Sequence, residues 1–191
     1  MFVKIFDVGN YASTSSTSSS STTKKDTTKE FETRFDRCWL SGIVHYTVFQ
    51  FRGSVSPMYT STAIHNYIFT NIPNSYVYLV TSAPLDDRFD LTLDISGVAL
   101  VRLVSTPKYG VELIVDLLCV RKSFELGTRV ITTLCETAKQ KFSCRVVSLH
   151  SIHDKSVQEF YKKCDFVIDR RVRNTKTLLK ERGEIPLVRH L

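Results

Sequence analysis

No stretch of this 191-residue chain approaches the run of about 18 apolar residues that spans a bilayer. The opening "MFVKIFDVGNYA" sets Lys4 inside its apolar stretch and Asp7 soon after, which is not the layout of a secretory signal. Cysteine is sparse and odd in number. None of Cys38, Cys119, Cys135, Cys144 and Cys164 sits in a CxxC pair or at a zinc-ligand spacing. Three of them fall at apolar positions of predicted elements and read as small core residues in a reducing compartment. No metal site and no membrane association are expected, and the expected location is intracellular, cytoplasmic or nuclear.

The apolar, aromatic and charged fractions are those of a globular protein, and the length suits one domain of ordinary size. Nucleic-acid signatures are missing as well: there is no zinc finger, no RNP-type aromatic motif and no long Lys/Arg tract. The formal charge of +7 nevertheless concentrates toward the C-terminus, in "YKKCDF", "DRRVRNTK" and "LLKERG". Such a surface attracts phosphates, acidic proteins or nucleic acid. A solvated basic face is preferred here over a dedicated nucleic-acid interface.

Residues 13–30, "STSSTSSSSTTKKDTTKE", contain no apolar side chain, so burial cannot offset the entropy of ordering them. They read as a disordered Ser/Thr-rich linker. It separates a short N-terminal segment, 1–12, from a folded domain over 31–191. In that domain "FETRFDRCWLSGIVHYTVFQF" is ambiguous, with helical spacing early and strand-like alternation in "HYTVFQF". A helix is predicted in "PMYTSTAIHNYIFTN", followed by strands in "SYVYLVT", "SGVALVRLV" and "GVELIVDLLCV". From Glu125 to Lys141 the apolar residues trace one helical face. A strand "RVVSLHSI" and a helix "KSVQEFYKKC", capped by Asp154, come next. Two strands, "FVIDRRV" and "IPLVRHL", close the chain around "NTKTLLKERGE". The predicted class is α/β or α+β, with a mixed sheet flanked by helices.

This order resembles the GNAT superfamily of acyl-CoA-dependent N-acetyltransferases over roughly residues 57–191, together with two local patterns. One is "DLLCV" before the loop "RKSFELGTR". The other is Asp154 to Phe166, which follows the family's N-x-x-A-x-x-F-Y-x-x-x-G-F. Asp154 stands for Asn, Val157 for Ala, Phe160 and Tyr161 are kept, and Asp165 replaces Gly. The resemblance implies a mostly antiparallel GNAT-like sheet and transfer of an acetyl group from acetyl-CoA to an amine on a protein or small molecule. It implies backbone contacts to the pantetheine arm from Leu118, Cys119 and Val120. Contacts to the pyrophosphate would come from Lys122, Gly127, Thr128 and Arg129 at a helix N-terminus, and Asp154 would belong to the same cofactor site.

For chemistry, the resemblance casts Tyr161 as the acid that protonates the leaving thiolate. Asp116 and Glu112, four residues apart and so on one strand face, are the candidate bases. His150 and His153 could serve as bases or metal ligands, but no cysteine or carboxylate set completes a metal site. The loop departs from the family pattern. Glu125 occupies the first glycine position, where a carboxylate adds repulsion toward pyrophosphate and bulk that glycine lacks. Weakened or rearranged coenzyme A binding is therefore expected. The alternative reading is a catalytically inactive GNAT-fold interaction module that uses its basic C-terminal surface.

Overall fold

The computed structural model describes residues 1–8, 37–51, 61–70, 72–84, 90–107, 110–172 and 175–191. The linker expected over 13–30 lies outside them, as do the boundaries of the segments on either side. The chain runs β1 (Phe2–Asp7), α1 (Arg37–Gln50), α2 (Ser61–Phe69), β2 (Ser75–Thr81), α3 (Leu91–Asp94), β3 (Ile95–Thr106) and β4 (Gly110–Val120). It continues through α4 (Phe124–Phe142), β5 (Val146–Ile152), α5 (Lys155–Lys163), β6 (Val167–Ile168), α6 (Thr175–Arg182) and β7 (Glu184–His190). The strands form one sheet in the order β1-β2-β3-β4-β5-β7-β6. Every neighbouring pair is antiparallel except β4–β5, which is parallel. This is the mixed, mostly antiparallel sheet expected from the sequence.

Alternation along the strands feeds two cores, one on each face of the sheet. Tyr78, Ala99, Val101, Leu113 and Val115 pack against Val130, Ile131 and Leu134 of α4 and Tyr161 of α5. On the opposite face Val77, Leu79, Val98 and Leu100 meet Leu40, Ile43 and Val44 of α1 and Ile64 and Ile68 of α2. Each Val, Leu or Ile among them, fully buried, contributes about 1.5–3 kcal/mol. One irregularity in β4 changes this pattern. Leu117 pairs with Leu100, but Val115 pairs with Val101, so Asp116 is an extra residue in the ladder. A bulge of this kind transposes the alternation that follows it. Beyond it, Leu117 and Cys119 face α1 and α2, while Leu118 and Val120 turn to the α4–α5 side.

Three elements differ from their sequence reading. "HYTVFQF" belongs to α1, because Leu40, Ile43, Val44, Thr47 and Val48 form one buried helical stripe, and burial against the sheet outweighs local alternation. The Thr47 hydroxyl donates to the Ile43 carbonyl at 2.8 Å, which satisfies it inside the apolar layer. "FVIDRRV" supplies only the two paired residues Val167 and Ile168. After them Asp169 turns the chain, its carboxylate accepting from the Arg171 N–H and its carbonyl from the Val172 N–H. The connection "NTKTLLKERGE" holds the helix α6.

The helix ends have local causes. Ser143 after α4 is left-handed at φ 53°, and the Cys144 N–H returns to the Ala138 carbonyl at 2.9 Å, which closes the helix end. Asp154 caps α5 as expected, accepting from the N–H groups of Ser156 and Val157 at 2.9 and 3.1 Å. Those bonds, led by the Ser156 side chain, hold its carboxyl below the usual range. Asp165, where the resembled family carries glycine, adopts φ 63°, a conformation that disfavours a Cβ. Asp165→Gly is expected to stabilise the fold by about 1 kcal/mol, read as a higher urea midpoint at constant slope. A lower midpoint would mean that the Asp165–Arg189 contact at 3.5 Å outweighs the backbone term.

Candidate functional site

The one parallel strand pair is incomplete. β4 and β5 pair only from Glu112–Val146 to Val115–Leu149, although β4 continues to Val120 and β5 to Ile152. Beyond that point the strands part. On its other side β4 stays bonded to β3 as far as Val120–Gly97, so the β5-facing edge of residues 116–120 loses its strand partner while the strand itself stays extended. A cleft of about 960 Å³ opens at the split, with Asp116 and Leu118 on one wall and His150, Val157 and Tyr161 among its other lining residues. Gly97 makes the β3–β4 approach possible, since a Cβ there would lie 2.5 Å from a Val120 methyl.

Tyr161 reaches the cleft from α5 and is 9% exposed. Its ring is held edge-on by Phe160 and Phe166, with centroids at 5.1 and 5.6 Å. Burial pushes its phenol well above the ordinary range, so it remains protonated at neutral pH.

Both carboxylates read from β4 line the same cleft, but their settings differ. Asp116 accepts from Arg102 Nε at 2.8 and 3.1 Å across the β3–β4 ladder. Burial raises its pKa by more than Arg102, Tyr67 and His150 together lower it. Glu112 is buried, and its two oxygens accept from Arg171 at 2.8 and 3.0 Å. The same guanidinium also holds both oxygens of buried Asp169. Glu112 thus occupies the position of an ion-pair partner that ties β4 to the turn after β6. For Asp169, burial pushes the pKa up, but the hydrogen bonds from Arg171 outweigh it and leave the carboxyl below its usual range.

A pair not read from the sequence lies on the β5–β7 wall. His150 Nδ1 is 3.4 Å from Glu184 Oε2, with the imidazole about half exposed at 46% and the carboxylate buried at 8%. The β5–β7 register, in which His150 faces Pro186 and Ile152 faces Glu184, brings them together. His153 is exposed, with its N–H bonded to the Gly183 carbonyl at 2.7 Å. Among the described residues no group of His, Cys, Asp and Glu is placed to share a metal, and no helix is long and apolar enough to cross a membrane.

The helix after β4 starts within one residue of Glu125, where its apolar face is read in the sequence. α4 begins at Phe124, and the Ser123 side chain caps it by accepting from the Leu126 N–H at 3.4 Å. Gly127 therefore lies inside the first turns, its N–H bonded to the Ser123 carbonyl at 3.0 Å. It is buried against α5, where a Cβ would sit 3.0 Å from the Phe160 ring. Thr128 is hydrogen-bonded with the Cys164 thiol of that helix. Lys122, Glu125 and Arg129 are exposed. Arg121 turns away, donating to the Ile95 and Leu93 carbonyls at 3.1 and 3.4 Å. Cys119 points to the opposite core, its thiol 3.8 Å from the Thr47 carbonyl.

By sequence, no family model and no curated protein matches the chain. By structure, it is similar to a chain of the NatC complex solved with Gag peptide and CoA, at TM-score 0.54 and 12% identity over 78% of this chain and 91% of that one. It is similar to Arabidopsis thaliana NAA60 in complex with a bisubstrate analogue, at TM-score 0.54 and 15% identity over 78% and 94%. A Desulfovibrio desulfuricans protein assigned to the GNAT family of acetyltransferases gives TM-score 0.55 and 13% identity over 78% and 91%. The protein has the GNAT fold.

The charge cluster in this fold has a measurable signature. Arg171→Met would strand Glu112 and Asp169 as buried carboxylates, and breaking such a pair costs about 3–5 kcal/mol. The pH response between 7 and 5 should also change, since in the native protein the Asp169 contribution is constant there and falls only at lower pH. In the native protein the depressed Asp169 carboxyl contributes stability above its unfolded pKa, and that contribution is lost as pH falls through the folded value. In the variant the stranded carboxylates take up protons on folding, so stability should rise as pH is lowered from 7 toward about 5. Urea midpoints across that range read the difference; parallel curves for the two proteins would contradict the cluster.

Proposed function

We propose that the protein is a divergent N-acetyltransferase that brings an acetyl thioester and an amine together across the gap between β4 and β5. The observation that carries this reading is the strand pair that stops at Val115–Leu149, with Tyr161 and Asp116 lining the cleft that opens there. Neighbours of the same fold were solved with CoA and a peptide, and with a bisubstrate analogue, which supports a thioester and an amine as the two reactants.

The residues present fit one part of acetyl-CoA better than the other. The unpaired edge of residues 116–120 offers backbone groups that can pair with the two amides of a pantetheine arm. Leu118 and Val157 give that slot apolar walls. The stretch after β4 offers the pyrophosphate much less, because Gly127 is buried in α4 and Thr128 is engaged with Cys164. Bound there, acetyl-CoA would supply the acyl carbon and a thiolate leaving group.

Acetyl transfer removes a proton from the amine and returns one to sulfur. Tyr161, kept protonated by burial, is the donor to sulfur in this reading. On the amine side His150 leaves Nε2 free for a proton while Nδ1 faces Glu184. Asp116 lines the same cleft as His150 and in this reading would stabilise the resulting cation together with Glu184. Glu112, paired with Arg171, keeps that end of the cleft in shape. The acceptor class proposed is an amine on a protein or small molecule.

The early start of α4 favours a second reading, a GNAT-fold interaction module without catalysis. In that reading the contact surface is the exposed basic set Lys162, Lys163, Arg170 and Lys180, with Arg171 serving the fold. The two readings separate on donor binding and turnover. Calorimetry should show acetyl-CoA binding, and thiol release in the presence of an amine panel should follow. Tyr161→Phe is expected to lower turnover by about 10²-fold with unchanged stability. No binding at millimolar ligand would leave only the second reading.

A further inference from the structure

We infer that the acyl donor is recognised through its pantetheine arm, so that the chemical class bound is an S-acylated pantetheine and the nucleotide end adds little affinity. This rests on the reading of the β4–β5 gap as the thioester slot. An arm lying along β4 from Asp116 would leave the strand at Val120, and a diphosphate at its end would then meet the first turn of α4. What that turn presents to an anion is limited.

A helix start can hold an anion through N–H groups that lack intrahelical partners. Here the Leu126 N–H already faces the Ser123 hydroxyl, and the Gly127 N–H is bonded within the helix. Gly127 cannot serve as a bare backbone site, because its face is filled by the Phe160 ring. Glu125 places a carboxylate in the same turn, opposing the attraction of the helix dipole. The cation nearest the strand end, Arg121, donates to the Ile95 and Leu93 carbonyls and lies 5.9 Å from the Phe51 ring centroid. Lys122 and Arg129 are exposed, where a charge pair is weak and screened by salt. The arm therefore has a built slot, while the diphosphate has, among the described residues, two solvated cations, one opposing carboxylate and the first-turn N–H groups of Phe124 and Glu125, the second of which carries that carboxylate.

The test compares two probes on the full chain by calorimetry, coenzyme A and pantetheine, with S-acetylpantetheine and acetyl-CoA as the matching pair for thiol release. The expected result is Kd values within about threefold of each other and similar kcat/KM. Glu125→Gln, which removes the opposing charge and keeps a good helix former, is expected to tighten coenzyme A by no more than about threefold, because the site is exposed and screened, and to leave pantetheine unchanged. Coenzyme A binding more than 30-fold tighter than pantetheine would overturn the inference while leaving the acetyltransferase reading intact. So would a tenfold tightening of coenzyme A alone in Glu125→Gln. Failure of both probes to bind would overturn the inference together with the reading it rests on.

Discussion

The parallel pairing of β4 with β5 is held for four residue pairs and then released, and the arrangement of the site depends on that release. A fully zipped pair would close the sheet and leave no cleft. A pair with no contact would not fix the distance between the wall carrying Asp116 and the wall carrying His150. The bulge at Asp116 sits where the ladder ends. It adds a residue to β4, transposes the two faces beyond it, and lets Leu117 and Cys119 anchor one core while Leu118 and Val120 serve the other. β4 is thus held by β3 and by packing on both faces after it has lost β5. Rigid support of an unpaired edge is what a preformed slot needs.

Charge holds the two sides of the cleft in register. Arg171 joins Glu112 on β4 to Asp169 after β6, Arg102 joins Asp116 across β3–β4, and Glu184 joins His150 across β5–β7. The Arg171 cluster adds little net stability compared with apolar packing but is costly to break singly, whereas Arg102 and His150 are about half exposed and their pairs contribute less. The Arg171 cluster is the one of the three that ties the β4 wall to the far side of the cleft. Tyr161 differs from them: it is held by apolar packing, with the rings of Phe160 and Phe166 edge-on to its own.

Much of this architecture was legible in the sequence. The apolar stripe of α4, the Asp154 cap of α5 and the alternation of β2, β3 and β4 follow from periodicity and cap chemistry, and the family resemblance points to Tyr161 and Asp116 as candidate acid and base. α1 was ambiguous because "HYTVFQF" carries β-branched and aromatic residues, and only the sheet beneath it selects the helical stripe from Leu40 to Val48. The ion pairs were not legible. Arg171 and Glu112 are 59 residues apart, and nothing local marks them as partners. His150 and Glu184 meet only because of the β5–β7 register. The packing of Gly127 is not legible either. Periodicity places Gly127 at the start of the helix, but its contact with Phe160, 33 positions further on, depends on how α4 and α5 meet.

The central claim is that the unpaired edge of β4 receives the acyl donor. Amide hydrogen exchange resolved at single residues tests it directly, with the full chain compared in the absence and presence of saturating S-acetylpantetheine. Exchange is expected to slow at amides within 116–120 that face β5, with little change at the β3–β4 ladder around Val101 and Leu113. Unchanged exchange at that edge in the presence of bound ligand would place the ligand elsewhere and contradict the account.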